Sequence, residues 1–545
     1  MKKFIYTIAL LATTGIQAQV LNVNNNDGTF LPVETAETRE ITFDATKKTV
    51  TLVLDGGIQH SFHTGKVESL SPRTDKSEQL AYDIEPEVVF DENDKKNFNE
   101  IVETIPSTET ADNDYGDFVD KYSITTVISI TFSENDVAVS GNIPYSKNGA
   151  HLTINSASGK VGYIVSGKST NGSLKIYSEK KFQLMLSGLD LTNPTGPAIN
   201  IQTGKTVYFT IDDNTTNNLC DGATYKESEN GEDQKGALFS EGQLIFNGYE
   251  DGSGVLNVTS YGGHGICSDD YIRIRSGNIN ILKAAKDGFH TNDKFIVGRT
   301  TKASPRITVN ATNDGIDCGK GEVIIDAGII ELTTGGEAIK VEYEEADPDP
   351  AVTPNATING GYIRFTTTGE KSSGIKTTGT YKQTGGAIHG TVKGNGSKIL
   401  NCDSNITISG GKLTGKSEGT VLDGATLAGG IKCKGLLTVE NGIIAIECSG
   451  AGAKGINTDN TTVKGGEMTI LSTGETAGTH NSISVETGNL TITNGVLRFK
   501  AYDNAISATK VALYKGTLHA ISENSVAVDA TVTQSGGWIM TKENE

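Results

Sequence analysis

A glycine stands directly before a short run of aliphatic and β-branched residues again and again in the last three-quarters of the chain. Gly254 precedes the run at 255–259, and Gly277, 23 positions later, precedes the run at 278–282. Steps of 21 to 25 residues recur, and longer steps contain insertions such as the acidic, proline-rich stretch at 342–354. Self-similarity at a fixed spacing of about 20–50 residues is typical of stacked repeats. The same position is taken by Gly328, Gly361, Gly386, Gly411, Gly442, Gly466, Gly495, Gly516 and Gly537.

Each repeat carries a second mark about halfway along, a small residue followed by an aliphatic or aromatic one. Examples are Gly265-Ile266, Gly288-Phe289 and Gly315-Ile316. A third strand-like run follows, as at 271–274, so that one coil of 21 to 25 residues holds three short strands. A β-propeller needs about 40 residues per blade, and a β-sandwich would not keep one phase over so many repeats. We therefore predict an all-β chain whose main part is a parallel β-helix, a solenoid of about a dozen coils.

The residues before this solenoid divide into three parts. Lys2 and Lys3, the apolar run at 4–12 and the small-residue site at 16–18 are typical of a signal peptide at 1–18. Residues 19–70 alternate as strands do and predict a small β module. Residues 71–121 are acidic and lack apolar periodicity, which predicts a solvated linker before a β-helix domain at 122–545. Asp112, Asp114 and Asp117 alternate as in a calcium loop, but the glycine and closing glutamate of an EF-hand are not in register.

The composition favours tight turns and disfavours polyanionic partners. The 65 glycines are about 12% of the chain, against a usual share of about 7%. The formal charge of -19 disfavours nucleic acids and anionic membranes as partners, and no segment is apolar for the roughly 18 residues that a transmembrane helix needs. The six cysteines are scattered singly, so we interpret most as small apolar fillers, with a bridge between Cys402 and Cys433 as the alternative.

Several segments between residues 182 and 316 are together fairly specific, whereas the later coils match only as generic repeats. The segments are FQLMLSGLDLT (182–192), AINI (198–201), VYFTIDDN (207–214), NLCDG (218–222), KGALFS (235–240), HGICSDD (264–270), DG (287–288) and DGI (314–316). On these segments, the region from about residue 122 onward resembles the bacterial secreted carbohydrate-binding β-helix family, whose fold is similar to that of pectate lyases. The resemblance implies a right-handed parallel β-helix that binds plant-type polysaccharide and holds calcium. It does not imply lyase activity, and the residues before about 120 lie outside it.

Equivalent positions of successive coils lie one above another in a β-helix, which places some carboxylates side by side. Just before the second mark the column reads His264, Asp287, Asp314, Glu337 and Ser373. Carboxylates about 5 Å apart repel one another unless a cation lies between them, and calcium takes six to eight oxygen ligands. We predict a calcium site at Asp287, Asp314 and Glu337, to which Asp317 adds an oxygen. The alternative is an ordinary acidic turn column, because Asp-Gly is a common turn dipeptide.

A second acidic cluster follows the mark. Asp269 and Asp270 lie one coil before Asn292 and Asp293, with Glu241 one coil earlier still. This spacing predicts a second calcium site with Asp269, Asp270 and Asp293 among its ligands. Turn chemistry alone is again the alternative.

Four basic residues are candidates for contact with a glycan. Arg273 and Arg275 alternate along a strand and so present two cations on one face. His290 and Lys340 belong to the column after the mark, in which a polar groove is one interpretation and a solvated side of the helix the other. A polysaccharide lyase also needs a base beside its calcium ion, but strand-face cations are mostly solubilising. That column reads Cys267, His290, Asp317, Lys340 and Lys376.

The resemblance and the carboxylate columns together lead to a functional expectation. We expect a non-catalytic polysaccharide-binding protein outside the cytoplasm, secreted, periplasmic or on the cell surface, most simply a monomer, that recognises cellulose or a polyuronate such as pectin on a calcium-bearing face. The single tryptophan, Trp538, argues against an aromatic platform for crystalline cellulose. The alternatives are a calcium-dependent polysaccharide lyase and a β-helix adhesin or structural protein. We expect the working face in the acidic coils at about 237–345.

Overall fold

The structure is a computed structural model, and it confirms the predicted fold class. It describes residues 20–26, 30–34, 38–73, 88–97, 117–119, 122–228, 231–298, 304–343 and 352–543. The predicted signal peptide, Asp112 and Asp114 lie outside the described residues. The described chain is nearly all-β, with 2% helix, and contains a β-solenoid of about 15 turns preceded by a small β region. The number of coils is therefore somewhat larger than the dozen predicted.

The chain divides into two compact units that are described separately. The first unit comprises Met1–Val89, Ile406–Ser409 and Leu413–Glu545, and the second comprises Phe90–Asn405 and Gly410–Lys412. The N-terminal elements are β1 (Val20–Asn25), β2 (Phe30–Glu34), β3 (Thr38–Asp44), β4 (Thr49–Leu54), a 3₁₀ turn (Asp55–Gly57), β5 (Ile58–His63) and β6 (Val67–Arg73).

The elements between residues 90 and 405 are one short helix and the strands of the second unit. They are α1 (Asp94–Asn97), β7 (Thr126–Ser133), β8 (Asp136–Ser140), β9 (Tyr145–Asn148), β10 (Ala150–Ser156), β11 (Val161–Ser169), β12 (Gly172–Ser178), β13 (Phe182–Thr192), β14 (Ile199–Gln202), β15 (Val207–Ile211), β16 (Thr216–Cys220), β17 (Gly236–Ser240), β18 (Leu244–Gly248), β19 (Val255–Thr259), β20 (His264–Ser268), β21 (Tyr271–Ile274), β22 (Asn278–Ala284), β23 (Phe289–Thr291), β24 (Lys294–Val297), β25 (Arg306–Ala311), β26 (Ile316–Cys318), β27 (Glu322–Ile325), β28 (Ile329–Thr334), β29 (Ile339–Val341), β30 (Ala356–Ile358), β31 (Tyr362–Thr367), β32 (Ile375–Thr377), β33 (Tyr381–Gln383), β34 (Ala387–Val392) and β35 (Lys398–Cys402).

The strands from residue 406 onward complete the solenoid coils. They are β36 (Ile406–Ile408), β37 (Lys412–Ser417), β38 (Gly429–Val439), β39 (Ile443–Cys448), β40 (Lys454–Val463), β41 (Glu467–Ser472), β42 (Ile483–Ile492), β43 (Val496–Ala501), β44 (Ile506–Leu513), β45 (Thr517–Ser522), β46 (Val528–Gln534) and β47 (Trp538–Lys542).

Two kinds of coil occur. From β14 to β32 each strand pairs with the third strand after it, so that a coil has the three strands predicted from the repeat. From β38 onward each strand pairs with the second strand after it. In these coils one long strand, such as the 11-residue β38, takes the place of two short ones. The pairing of β38 with β40 shifts register between Cys433 and Leu436, which bends the long strand around the coil.

The repeated glycine and the alternation of side chains explain why these segments form coils. Gly277 and Gly328 precede β22 and β28 with φ of 102° and 103°, a conformation that L side chains rarely adopt. Within β25, exposed and buried residues alternate strictly, so that one face of the strand contributes to the core. The coils therefore turn at glycine and stack aliphatic side chains inside.

The N-terminal β module packs against the last coil of its own unit. β5 pairs antiparallel with β47, with Phe62 opposite Trp538 and His60 opposite Met540. Val50, Leu52 and Phe62 share a buried apolar cluster with Met540. Repeat proteins need such a terminal cap, because the last coil otherwise leaves its core and its backbone groups open. The role of residues 19–70, which the sequence does not indicate, is thus structural at least in part.

Two described segments of the predicted linker at 71–121 make buried contacts. Asp94 in α1 is buried, and its Oδ2 lies 2.9 Å from Nε2 of His389 and 2.7 Å from Nζ of Lys412. Asp117 is also buried and lies 2.8 Å from Arg273. These carboxylates are ordered because outward-facing cations of the second unit's coils neutralise them.

Two further sequence predictions concern cysteines and membranes. All six cysteines lie in the described part of the chain, and none is in a disulfide. Five are buried, and burial raises the pKa of Cys318 and Cys448 to about 12, so that they act as apolar fillers. Among the described residues, no helix is long and apolar enough to cross a membrane.

Candidate functional site

The backbone ladder of the second unit aligns both predicted columns as the sequence indicates. His290 of β23 pairs with Asp317 of β26, which pairs with Lys340 of β29. The column before the mark is aligned by three bonds of 2.9 Å, in which the N–H groups of Gly265, Gly288 and Gly315 donate to the carbonyls of Asp287, Asp314 and Glu337. Successive members of each column are therefore direct neighbours in adjacent coils.

The small residue of the second mark has a steric cause. A Cβ atom on Gly265 would lie 2.6 Å from the carbonyl oxygen of Gly288, and one on Gly288 would lie 2.7 Å from that of Gly315. Contacts this short are not seen for real Cβ atoms, so the close approach of the coils requires glycine here. The same close approach brings the side chains on either side of the mark together.

The columns form one network of charged groups. Oδ2 of Asp287 lies 2.9 Å from Nδ1 of His264 and 3.6 Å from Nδ1 of His290. Nδ1 of His290 lies 3.0 Å from Oδ2 of Asp317, and the two imidazole rings stack with centroids 4.5 Å apart. Asp287 therefore contacts an imidazole of the preceding coil and one of its own coil, and His290 also contacts a carboxylate of the next coil.

Lys340 extends this network on the side of the next coil. Its Nζ lies 3.5 Å from Oδ1 of Asp317 and 3.9 Å from Oδ2 of Asp314. Oδ1 of Asp314 accepts a hydrogen bond of 2.7 Å from the backbone N–H of Glu337. The half-buried Glu337 is thus tied to the column through its backbone.

Burial and neighbouring charges divide the carboxylates into two kinds. Burial opposes the ionisation of Asp287, but hydrogen bonds with His264 and His290 outweigh it and hold the pKa well below its usual range. Burial, together with the charges of Glu337, Asp287 and Asp317, raises the pKa of Asp314 to about 8. Asp314 is the member of the cluster whose negative charge is least well compensated.

The pKa values of the two imidazoles shift in opposite directions. Burial disfavours the charged form of His290, but its contacts with Asp287 and Asp317 outweigh that cost and raise the pKa to about 9. Burial lowers the pKa of His264, although Asp287 acts in the opposite direction. At neutral pH the network therefore contains the ionised Asp287 and the cationic His290.

The residues present fit a divalent cation. One oxygen each of Asp287, Asp314 and Asp317 lies within 4.8 Å of the others, and all three side chains are buried. Oδ1 of Asp317 is buried and has no hydrogen-bond donor among the described residues, although Lys340 lies nearby. A set of carboxylate oxygens matches calcium, whereas the overlapping group of His264, Asp287 and His290 offers the mixed donors that transition metals accept.

The second predicted cluster is dispersed among other contacts. Both carboxylate oxygens of Asp269 lie within 2.7 Å of Nζ of Lys235, and Asp270 accepts a hydrogen bond from Gln243. One oxygen each of Asp233, Glu241 and Asp269 also lies within 4.8 Å of the others. The backbone N–H of Asp293 donates to the carbonyl of Asp270 at 2.9 Å, and burial together with the charge of Asp293 raises the pKa of Asp270. Asp293 also lines a cavity. We therefore regard the Asp287, Asp314 and Asp317 cluster as the better candidate for a metal.

Comparison with known proteins places the chain in a family. A family model described as carbohydrate-binding domain-containing protein matches residues 148–424 and 417–538, which is more than half of the chain. The chain belongs to this carbohydrate-binding family. The match includes every residue of the charged network, and it confirms the resemblance inferred from the sequence. No curated protein matches the chain.

One solved structure matches part of the chain. It is described as a polysaccharide lyase-like protein from C. thermocellum, in a gadolinium derivative. It is 23% identical, covers 52% of this chain and 99% of its own, and superimposes with a TM-score of 0.38.

The prediction that Arg273 and Arg275 face a glycan is not supported by their burial. Arg273 has no exposed surface, and its guanidinium lies 2.8 Å from Asp117. The guanidinium of Arg275 stacks 3.5 Å from the ring centroid of Phe118. Residues 117–119 therefore cover the strand face that carries the two arginines. Asp117 and Arg273 are more than 150 positions apart, so the alternation of residues along the strand cannot indicate this contact.

Two features of the site escaped sequence reasoning. The first is the stacked pair of His264 and His290. His264 belongs to the column before the mark and His290 to the column after it, so that reading each column separately does not bring the two together. The cavity beside Asp293 is lined by residues just after the aligned strands, at one position whose residue type changes from coil to coil. The register of adjacent coils is the signal that could have indicated the histidine pair.

Proposed function

We propose that this chain is an exported, non-catalytic polysaccharide-binding protein that holds calcium in its charged coils and recognises plant-type glycans. The observation that carries the proposal is the buried cluster of Asp287, Asp314 and Asp317, with three carboxylates within 4.8 Å of one another and one oxygen lacking a hydrogen-bond donor. Burying this much like charge is costly unless a cation compensates it. Membership of the carbohydrate-binding family supports the glycan as ligand.

Asp287, Asp314 and Asp317 would hold the ion, and Glu337 is the next carboxylate of the same column. When bound, calcium supplies positive charge that favours the ionised form of Asp314. His290 and Lys340, which border the cluster, offer N–H donors to a glycan oxygen. Asp269, Asp270 and Asp293 remain a proposed second group of calcium ligands.

The contacts of the single tryptophan favour recognition by hydrogen bonds over stacking of tryptophan on a flat crystal. Trp538 is engaged in the cap, where its ring centroid lies 5.5 Å from that of His60 and 4.9 Å from that of His519. The contacts of Arg273 and Arg275 with residues 117–119 also remove two candidates for a lyase base. Both facts support a binding protein for soluble or amorphous glycan chains, with cellulose and polyuronates as the classes to test.

The test is a glycan array with soluble cello-oligosaccharides and oligogalacturonates, run with calcium and with chelator. We expect the full chain to bind in calcium and to lose about tenfold or more of its affinity in chelator. Asp314→Asn should bind weakly in both conditions, since it removes a calcium ligand with little change in shape. Equal binding with calcium and chelator would overturn the role of calcium.

The same samples separate the alternatives. Shortening of the polyuronate with formation of unsaturated chain ends would identify a lyase instead. Binding to cells but to no glycan would favour an adhesin. N-terminal sequencing of the protein recovered outside the cytoplasm should begin at Gln19, and a protein that keeps residue 1 would contradict export through the predicted signal peptide.

A further inference from the structure

The coils that form the charged network also form a cavity three residues further along the chain. Strands β23, β26 and β29 each contribute one side chain to the network, namely His290, Asp317 and Lys340. Three positions later, the same coils contribute Asp293, Lys320 and Tyr343 to the lining of a cavity of about 420 Å³. This volume lies within the range of about 300–1,000 Å³ that is typical of small-molecule sites.

The backbone ladder holds the walls of the cavity in place. The N–H of Glu322 donates to the carbonyl of Asp293 at 3.1 Å, and the N–H of Val323 donates to that of Asn355 at 3.0 Å. A Cβ atom on Gly321 would lie 1.3 Å from the carbonyl oxygen of Asp293. Glycine at 321 therefore allows the two walls to approach, and the cavity is part of the rigid ladder.

The polar lining is balanced in charge. Two ammonium groups, on Lys294 and Lys320, are matched by two carboxylates, on Asp293 and Glu322. Nζ of Lys294 lies 3.0 Å from Oε1 of Glu322. The formal charge of these four groups is zero, in a chain whose total charge is -19. A site of this kind gains little from an anionic ligand such as a uronate.

The remaining lining residues complete a set suited to sugar hydroxyls. Each hydroxyl both donates and accepts a hydrogen bond, and the cavity is lined by donors on Lys320 and on the amide nitrogen of Asn355 and by acceptors on Glu322. The amide oxygen of Asn355 already accepts hydrogen bonds from Thr380. The ring of Tyr343 gives an apolar face for the C–H side of a pyranose. Donors, acceptors and one aromatic ring around one cavity suit a short neutral glycan.

We infer that this cavity is a binding site for a neutral oligosaccharide. The inference rests on the proposed function and assigns its glycan to a particular place, beside the charged network and outside it. Calcium binding and glycan binding then belong to neighbouring side chains of the same three coils.

The test measures binding of a soluble cello-oligosaccharide and an oligogalacturonate to the full chain and to variants. Tyr343→Ala should weaken binding of the neutral glycan about tenfold, and Tyr343→Phe should stay within about twofold of the parent because the ring is kept. Glu322→Gln should weaken it about threefold to tenfold through the lost charged acceptor. The matched control is Tyr514→Ala, since Tyr514 is 53% exposed in the other unit and should leave binding unchanged.

The outcomes separate this inference from the proposed function. Binding of the neutral glycan that is equal in the parent, Tyr343→Ala and Glu322→Gln would overturn the cavity and leave the proposed function standing. Binding of the oligogalacturonate alone would overturn the neutral ligand. Absence of binding by the parent would overturn both. Calcium titration and thermal unfolding of each variant establish that a loss of glycan binding is not a loss of folding.

Discussion

The charged coils, from His264 to Lys340, and the later coils, from Ile443 to Lys542, use one repeat for different chemistry. In the charged coils the column before the mark holds His264, Asp287, Asp314 and Glu337. At the matching positions the later coils hold Lys454, Ile483 and Asn504. Their column after the mark holds two carboxylates, Glu486 and Asp529, which Ser507 separates. Glu486 lies 3.4 Å from Lys454 and accepts a hydrogen bond of 2.7 Å from Asn457.

The different residues at matching positions show that the backbone hydrogen bonds between coils do not require particular outward side chains. Both regions turn at a glycine and stack aliphatic residues inside, so neither needs charge at the mark for folding. The later coils also bury a carboxylate, Asp503, but it accepts hydrogen bonds from Thr476 and from the N–H of Ser482. A buried acid therefore indicates a metal site only where carboxylates meet one another, as they do at Asp314.

Acid should affect the unit that contains the later coils most strongly. Burial lowers the pKa of both His60 and His519 to about 4. The charge of His519 lowers the pKa of His60 further, and the charge of Arg498 does the same for His519. The unfolded chain binds protons near pH 6.5, so stability is retained above that value and is lost as the pH falls toward 4. The loss near pH 4 is about 3 kcal/mol for each histidine.

The readout of this prediction is the chain's single tryptophan, since Nε1 of Trp538 donates to Nδ1 of His60 at 3.2 Å. The urea midpoint followed by its fluorescence should fall between about pH 6.5 and pH 4. A double variant, His60→Gln with His519→Gln, should lose most of this pH dependence. An unchanged midpoint in the parent over the same range would contradict the buried, neutral state of the cap histidines.

An intermediate effect is expected from the ion pairs that each region makes. Asp117→Ala removes the carboxylate that neutralises the fully buried Arg273, and should lower the free energy of unfolding by about 3–5 kcal/mol. The matched control is Glu440→Ala in the other unit, whose pair with Lys464 is about half exposed and should be worth about 0–1 kcal/mol. Denaturant unfolding of both variants measures the contrast, and equal losses would mean that residues 117–119 are not anchored as described.

The smallest changes in the free energy of unfolding are expected at the two buried acids, Asp314 and Asp503, and the two changes should have opposite signs. Without calcium at about pH 8, Asp314→Asn should raise stability by about 1–3 kcal/mol, because it removes a carboxylate that faces three others. Asp503→Asn should lower stability by about 1–2 kcal/mol, because its hydrogen-bond acceptors are replaced in part by a donor. A loss of stability in both variants would show that the charged coils carry no electrostatic strain.

Much of the site could be predicted from the sequence, because residues one repeat apart lie side by side in adjacent coils of a solenoid. The register of His290, Asp317 and Lys340, and the approach of Asp287 to Asp314, came directly from aligning the repeats. What the sequence could not indicate depends on segments distant along the chain. Asp117 reaches Arg273, Asp94 reaches His389, and β5 pairs with β47, although none of these contacts belongs to the repeat. The cavity escaped for a related reason, since its lining changes from aspartate to lysine to tyrosine in successive coils.

The most direct test of the central claim is calorimetric titration of calcium into the chelator-treated full chain, with Asp314→Asn and Asp503→Asn beside it. We expect the parent and Asp503→Asn to bind calcium alike and Asp314→Asn to lose about tenfold or more of the affinity. Binding that is equal in the parent and Asp314→Asn, or absent from the parent, would contradict a calcium site in the charged coils.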